Sequence, residues 1–398
     1  MILDLGAQPP SNSFLSPEDI DRGETRYPLE LLYCPSCQLL QLSYSLDPAE
    51  IFTNYVYVSS TSPVHCSHLA EMARYLYNFM NPQKEDLAID IGSNDGALLK
   101  GYEGCEVRIL GIEPSSVAEI ARKRGIPVHK AFFSERTARD VVEQNGLAKI
   151  ISAANVFAHV SDHDDFLKGI QALLRDDGIF VIEVPHALDM LDKRLFDTIY
   201  HEHIFYFSVH ALEDILERRG FRIFRIEKFE MSPSGPPIRV FVCKRNGAFR
   251  EEDSVRHQKE EELRKGLTDI AVYKKFAERV WNVKAELLNV LEDLKGKGEK
   301  ILGYGAPAKG NTLLNTFGIG RHWLDVILEK NDLKFGLLTP GTHIPIVDED
   351  TFDVSGYHYA LLLSWNLVDE FLKKSPFIKK GGKFIVPLPE PKIVPGED

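Results

Sequence analysis

Residues 87–114 read LAIDIGSNDGALLKGYEGCEVRILGIEP, and the fold follows from how that stretch is parsed. Leu87 to Ile91 is an apolar run of strand length, Gly92-Ser93-Asn94-Asp95-Gly96 is a glycine turn, a helix is expected after it, and Arg108 to Ile112 is a second buried strand ending on Glu113. Strand, glycine turn, helix and strand make half of a nucleotide-binding βαβ unit. Gly92 allows the sharp turn at the strand end, and Gly96 lets the helix start approach the sheet. A carboxylate at Glu113 stands where it can accept both hydroxyls of a ribose.

The glycine spacing narrows the ligand. A dinucleotide turn is G-x-G-x-x-G, because its amides approach a pyrophosphate. Here the glycines are G-x-x-x-G and carry Asn94 and Asp95 between them. An extra carboxylate repels a pyrophosphate, whereas S-adenosylmethionine has none and offers a ribose, a sulfonium, an ammonium and a carboxylate. Asp90 and Asp95 suit its positive end and the turn amides its carboxylate. The expected cofactor contacts are Asp90, Gly92, Ser93, Asn94, Asp95, Gly96, Glu113 and Pro114, with Phe133 walling the adenine and Asn155 in the loop after the next strand.

At 398 residues the chain has room for two or three domains. Its net charge of −12 argues against nucleic acid or an anionic membrane as the main partner. No apolar run reaches the roughly 20 residues that span a bilayer, and no basic-then-apolar leader opens the sequence. Five cysteines, an odd number, point to free thiols and a cytoplasmic setting. Cys34 and Cys37 form one C-x-x-C knuckle, half of a structural zinc site; His65, Cys66 and His68 are read as part of a following helix. Tyr55 and Tyr57 alternate along an extended run and share a face.

The segment FDTIYHEHIFYF, residues 196–207, is the most unusual. Extended, it would put His201 and His203 on one face and Glu202 on the other; as a turn, it would let all three converge. A metal pair, backbone-satisfied structural histidines, and a general base with its support are the three readings, and crowding of ionisable groups among Phe and Ile favours the last. Beyond Glu251 comes a charged, helical connector with Val280, Val283, Leu287, Leu288, Leu291 and Leu294 at helical spacing and Gly296 and Gly298 at its end. KILGYGAPAKGNTLLN is then a second strand, glycine turn and helix, where Lys309 and the amides near Gly303, Gly305 and Gly310 suit phosphate.

Taken together, QPPSNSFL, YPLELLYCPSCQLLQL, YVYVSSTS, IDIGSNDG, GIEPS, NVFAH, YHEH, GYGAPAKGNTLLN and KFGLLTPGTHIPI resemble, in order and over nearly the whole chain, the nucleotide-sugar C-methyltransferase family of deoxysugar biosynthesis. The resemblance implies an α/β protein: a small zinc-ribbon-like N-terminal domain (1–70), a class I methyltransferase Rossmann-like domain (71–248) and a second Rossmann-like substrate domain (249–398). It implies that His203 takes a proton from the carbon beside the ketone of a nucleotide-linked 4-keto-deoxysugar, with Tyr55, Tyr57, His159, Tyr200 and Glu202 around the sugar. Arg239, Tyr304, Lys309 and Asn311 are the expected substrate contacts. Two departures stand out: the family's zinc site has two C-x-x-C pairs and this chain one, and its H-G-G-S-x-R appears as Ser234-Gly235-Pro236-Pro237-Ile238-Arg239. Another small-molecule acceptor, an NAD(P)-linked oxidoreductase and a non-catalytic binder are the alternatives.

Overall fold

Leu87–Ile91 is buried on both faces, as a central strand of a parallel sheet must be. In the computed structural model, which describes residues 1–52, 58–229 and 237–395, it lies inside a seven-stranded sheet. The strand order is Phe221–Lys228, Pro237–Lys244, Leu174–Pro185, Ala148–Ala154, Leu87–Ile91, Arg108–Ile112, Val128–His129. All neighbours are parallel except at Pro237–Lys244, which runs antiparallel to both of its partners. From Leu87–Ile91 the chain winds outward to one edge, then returns to pair Ala148–Ala154 on the other side. That reversal is a topological switch point, where ligands of such sheets bind.

The helix expected after the glycine turn is only one turn long, Ala97–Lys100. At Gly101, where this short helix ends, the helix Pro63–Met80 crosses closely: a Cβ on Gly101 would lie 2.7 Å from Ala73 Cβ. Pro63–Met80 therefore supplies much of the cover on that face. Its buried residues His65, Leu69, Met72, Ala73, Leu76 and Met80 recur at helical spacing, Ser62 caps its first turn, and Asn81 closes it in the left-handed region.

A second, six-stranded sheet repeats the design in the order Ile346–Asp348, Ile327–Glu329, Ile301–Tyr304, Tyr359–Leu362, Lys383–Val386, Lys392–Pro395, with only the last strand antiparallel. The charged connector is two helices, Asp253–Arg264 and Ile270–Gly296, broken where Gly266 takes φ +78°. Val280, Val283, Leu287, Leu291 and Leu294 face inward, as their spacing predicts.

The N-terminal strands Leu3–Gln8, Tyr27–Tyr33 and Leu40–Leu42 form an antiparallel sheet completed by a fourth strand, Phe205–Tyr206. That strand follows directly on the YHEH residues, so the N-terminal module grips them from one side. Its buried face, including Leu29, Leu31 and Leu40, shares one continuous apolar cluster with Leu188, Phe196, Val280 and Phe317. No helix among the described residues is long and apolar enough to cross a membrane.

Candidate active site

The strand-end turns of both α/β sheets open onto one cavity of about 1300 Å³. A single small-ligand site usually needs about 300–1,000 Å³, so this one has room for two molecules. Gly92, Asn94, Glu113, Phe133 and Asn155 border one end, Tyr304, Gly305, Lys309 and Lys334 the other, and Tyr200, Glu202, His203 and His159 lie along its wall.

At the first end the glycine turn is held by three left-handed residues, Gly92 (φ +66°), Asn94 (φ +50°) and Gly96 (φ +81°). Four of its five amides are already engaged. Gly92 N and Ser93 N donate to the Ile112 carbonyl (2.8 and 3.2 Å), Asn94 N to Glu113 Oε2 (2.8 Å), and Gly96 N to the Ser93 carbonyl (2.9 Å). Glu113 Oε1 accepts from Ser115 N at 2.9 Å. These two amides fix the carboxylate at the strand end, where it borders the cavity together with Pro114. Phe133 packs edge-on against Phe166 at 4.8 Å between ring centres, forming an apolar wall. Gly92 itself has no room for a side chain, because a Cβ would overlap Val156 Cγ2. Gly92→Ala is therefore expected to weaken donor binding and lower stability by about 1–3 kcal/mol, read by calorimetric titration and thermal melting.

Four expected cofactor contacts do not border the cavity. Asp95 is fully buried, its Oδ2 pairing with Arg124 Nη1 at 2.7 Å and accepting from Ser60 N at 3.3 Å. With Asn94 Oδ1, which accepts from Ser59 N at 2.9 Å, it pins residues 59–60 onto the turn. Its charge is thus matched inside the protein. Asp90 Oδ1 accepts from Ser152 Oγ at 2.6 Å, and burial pushes its carboxyl up to about 7, with the Glu113 charge adding to the rise. Ser93 packs under the sheet against Gly111, and Gly96 against Ile126 and Ala121.

The YHEH residues form a turn, closed by His203 N donating to the Tyr200 carbonyl at 2.9 Å. The two alternating histidines therefore separate. His201 points away, its Nε2 3.3 Å from the Tyr27 carbonyl, while Glu202 and His203 reach the cavity. His203 Nδ1–H donates to the Thr198 carbonyl at 3.0 Å, which leaves Nε2 as the acceptor for the Tyr200 hydroxyl at 2.8 Å. The His159 ring stands edge-on at 4.9 Å, positioned because Ile204 N donates to the Ala158 carbonyl. Burial drives His203 well below the ordinary histidine range, and the neighbouring His159 adds to this; burial takes His159 down to about 4. Both imidazoles are neutral at pH 7. Glu202 accepts from Asn12 Nδ2 at 2.6 Å. Tyr55 and Tyr57 lie outside the described residues, as do Ser234, Gly235 and Pro236.

At the far end, Lys309 sits in the first turn of the helix Ala308–Phe317, bonded to Asn366 and 4.8 Å from the centre of the Trp365 ring. Burial lowers its amine to about 8, against the opposing pull of Asp197. Lys330, Lys334 and Lys374 border the same end. Tyr304 donates to Glu349. Glu329 ends its strand as Glu113 does, accepting from Ala306 N of the glycine turn and from its own Lys330 N, both at 2.8 Å. Asn311 does not border the cavity; its Nδ2 donates to the Ser11 carbonyl at 2.7 Å. Nor does Arg239, 4% exposed, which bonds Glu183 Oε2 through Nη2 and Nε at 2.9 and 3.1 Å.

Cys34 and Cys37 are free thiols in the knuckle, and among the described residues no group of three or more His, Cys, Asp or Glu gathers to hold a metal. The pair supplies two ligands where a structural zinc needs four. Residues at the cavity that were not foreseen include Lys330, Lys334 and Lys374 and three more with polar side chains. Asn12, His65 and Glu329 reach it from a loop, a helix start and a strand end; only Glu329 carries a signal, being an acidic residue at the end of the strand after a glycine turn.

Family models match three consecutive stretches: "Putative zinc binding domain" over residues 1–52, "Methyltransferase domain" over 67–226, and "C-methyltransferase C-terminal domain" over 233–389. The C-methyltransferase NovU of Streptomyces niveus is 31% identical over 398 residues, covering all of this chain and 94% of its own. A SAM-dependent methyltransferase from Archaeoglobus fulgidus (16% identity, TM-score 0.37) covers 45% of this chain and 94% of that one. Another from Thermotoga maritima (20% identity, TM-score 0.35) covers 46% and 89%. At those scores the structural likeness carries no argument. The full-length identity does, and with it the oxidoreductase alternative falls away: the chain belongs to the family of S-adenosylmethionine-dependent C-methyltransferases.

Proposed function

We propose that this enzyme methylates the carbon beside the ketone of a nucleotide-linked 4-keto-deoxysugar, through an enolate formed by His203. The division into units 1–70, 71–248 and 249–398 belongs to the same reading, as do a cytoplasmic setting and a zinc ion that takes Cys34 and Cys37 as two of its ligands. The observation that carries it is the single cavity with His203 and Tyr200 between a donor end and a lysine-bordered end.

Bound S-adenosylmethionine supplies an electrophilic methyl group, so the protein's own work is to make a carbon nucleophile and align it. Glu113 would accept the ribose hydroxyls, Phe133 would flank the adenine and Asn155 would meet the amino-acid end. His203 Nε2, neutral and with its tautomer set by Thr198, takes the proton from the carbon acid. Tyr200, whose hydroxyl already faces Nε2, turns its proton toward the enolate oxygen as charge develops there. His159 and Glu202 shape the sugar's seat. Buried Lys309 and half-buried Lys334, at the far end, suit a diphosphate.

The test is to supply methyl-labelled S-adenosylmethionine with a nucleotide-linked 4-keto-deoxysugar and read the product by carbon–proton correlation. A methyl signal bonded to carbon beside the ketone is expected. A methyl on oxygen, or transfer only to acceptors lacking a nucleotide, would contradict the assignment.

A further inference from the structure

A methyl donor with a free amino acid at one end must have its carboxylate and ammonium matched, because a desolvated charge without partners is costly. Four of the five amides in the glycine turn, those of Gly92, Ser93, Asn94 and Gly96, are spent on the Ile112 carbonyl, Glu113 and the Ser93 carbonyl, so the turn amides do not suffice for both groups. Neither do Asp90 and Asp95, which are held by Ser152 and Arg124 away from the cavity.

Among the described residues, two side chains beside the donor end have unmet atoms. His65 is 5% exposed and its Nδ1 has no hydrogen-bond partner among the described residues; Asn155 Oδ1 is buried and likewise unpartnered. Both stand beside the donor end. Asn155 directly follows Ala148–Ala154 and is held at φ +56°, with its N–H on the Glu183 carbonyl at 2.7 Å. His65 lies in the first turn of Pro63–Met80, its backbone N–H donating to Ser62 Oγ at 3.3 Å. The segment before it is clasped to the glycine turn by Asn94 at Ser59, by Asp95 at Ser60, and by Arg124 Nη2 on Ser60 Oγ at 3.0 Å. So the turn that seats the donor also fixes where this imidazole stands.

We propose that His65 donates a ring N–H to the carboxylate of the methyl donor, while Asn155 Oδ1 accepts from its ammonium. Burial lowers the His65 ring below the usual histidine range, with His68 adding to this and Glu183 and Asp95 opposing it. The ring is therefore neutral at pH 7, and since no partner among the described residues holds Nδ1, its tautomer is free to follow the ligand. Asn94 and Asp95 then have a purpose in the turn: they bind the strap that carries His65, and leave the donor itself to others.

The test uses the reaction product S-adenosylhomocysteine and the fragment 5′-methylthioadenosine, which lacks the amino acid. In calorimetric titration, His65→Phe should weaken S-adenosylhomocysteine about tenfold, as loss of a hydrogen bond to a charged group does, and leave 5′-methylthioadenosine within about twofold. His65→Gln, which retains a donor, should recover part of the loss. If His65→Phe fails to fold, decarboxylated S-adenosylhomocysteine makes the same comparison: wild type should bind it about tenfold less well than the parent, and His65→Gln should show a smaller difference. Unchanged product affinity in His65→Phe, or an equal loss for both ligands, overturns the proposal. No sugar enters the experiment, so its result is independent of the acceptor assignment.

Discussion

His203→Asn is expected to lower methyl transfer by about 10³-fold or more, within the range for loss of a general base, and to leave S-adenosylhomocysteine affinity unchanged. The argument rests on atom roles. The Nδ1–H is committed to the Thr198 carbonyl, so the one basic atom is Nε2, and that atom faces Tyr200 and the cavity. Asparagine can keep a donor toward Thr198, but its amide offers no basic lone pair at the Nε2 position. Burial, with help from His159, holds the imidazole neutral well into acid, so the wild-type rate should show no acid limb at the ordinary histidine value. Such a limb, vanishing in His203→Asn, would mean that His203 is more exposed in the working enzyme than here. Retained turnover in the variant would remove His203 from its role.

Glu262→Gln is expected to destabilise the chain by about 3–5 kcal/mol, the usual cost of breaking a buried ion pair from one side, and to lower the calorimetric melting temperature by roughly 10 °C. Glu262 is fully buried between three elements. Its carboxylate accepts from His186 Nε2 (2.8 Å), His210 Nδ1 (2.8 Å) and Val209 N (2.7 Å), while His186 Nδ1 donates to Asp189 at 2.9 Å. His186 thus has a carboxylate on each nitrogen, which raises it despite burial, and its proton and those of His210 and Val209 hold Glu262 down to about 2. The cluster fastens the helix Asp253–Arg264, leading toward the second α/β unit, to the end of Leu174–Pro185 and the start of Val209–Glu217. The pH dependence has two signs. The depressed Glu262 contributes stability that is present above its unfolded value of 4.5 and is lost as pH falls through about 2. The raised His186 contributes stability that is full below its unfolded value of 6.5 and is lost as pH rises through its folded value. The difference between wild type and Glu262→Gln should therefore be widest between pH 4.5 and 6.5. A difference that grows steadily above pH 8 would contradict a charged His186.

What could be read from residues alone was local. Leu87–Ile91 and Arg108–Ile112 have the bounds their apolar runs and glycines imply, because nothing distant competes for buried parallel strands. The inward face of Ile270–Gly296 follows its spacing for the same reason. What failed was partner choice. A carboxylate in a glycine turn reads as a ligand contact, yet Asp95 answers to Arg124, 29 residues onward, and to Ser60, 35 residues back. Arg239 reads as a substrate contact, yet strand register sets it opposite Glu183. In YHEH, extended and turn conformations were both open; a Tyr200–His203 backbone bond makes it a turn, yet the three polar groups do not converge, because His201 goes to the Tyr27 carbonyl. Nor does any local pattern announce that Phe205–Tyr206 completes a sheet with Leu40–Leu42, a pairing across more than half of the catalytic unit.

Proton–deuterium exchange tests the central claim most directly. With the nucleotide-linked ketosugar and S-adenosylhomocysteine bound, no methyl group is available, so proton removal is seen by itself. Wild-type protein in deuterated water should exchange the hydrogen on the carbon beside the ketone, and His203→Asn should exchange it about 10³-fold more slowly. Equal exchange in the two proteins, or none in wild type while methyl transfer proceeds, would contradict an enolate made by His203.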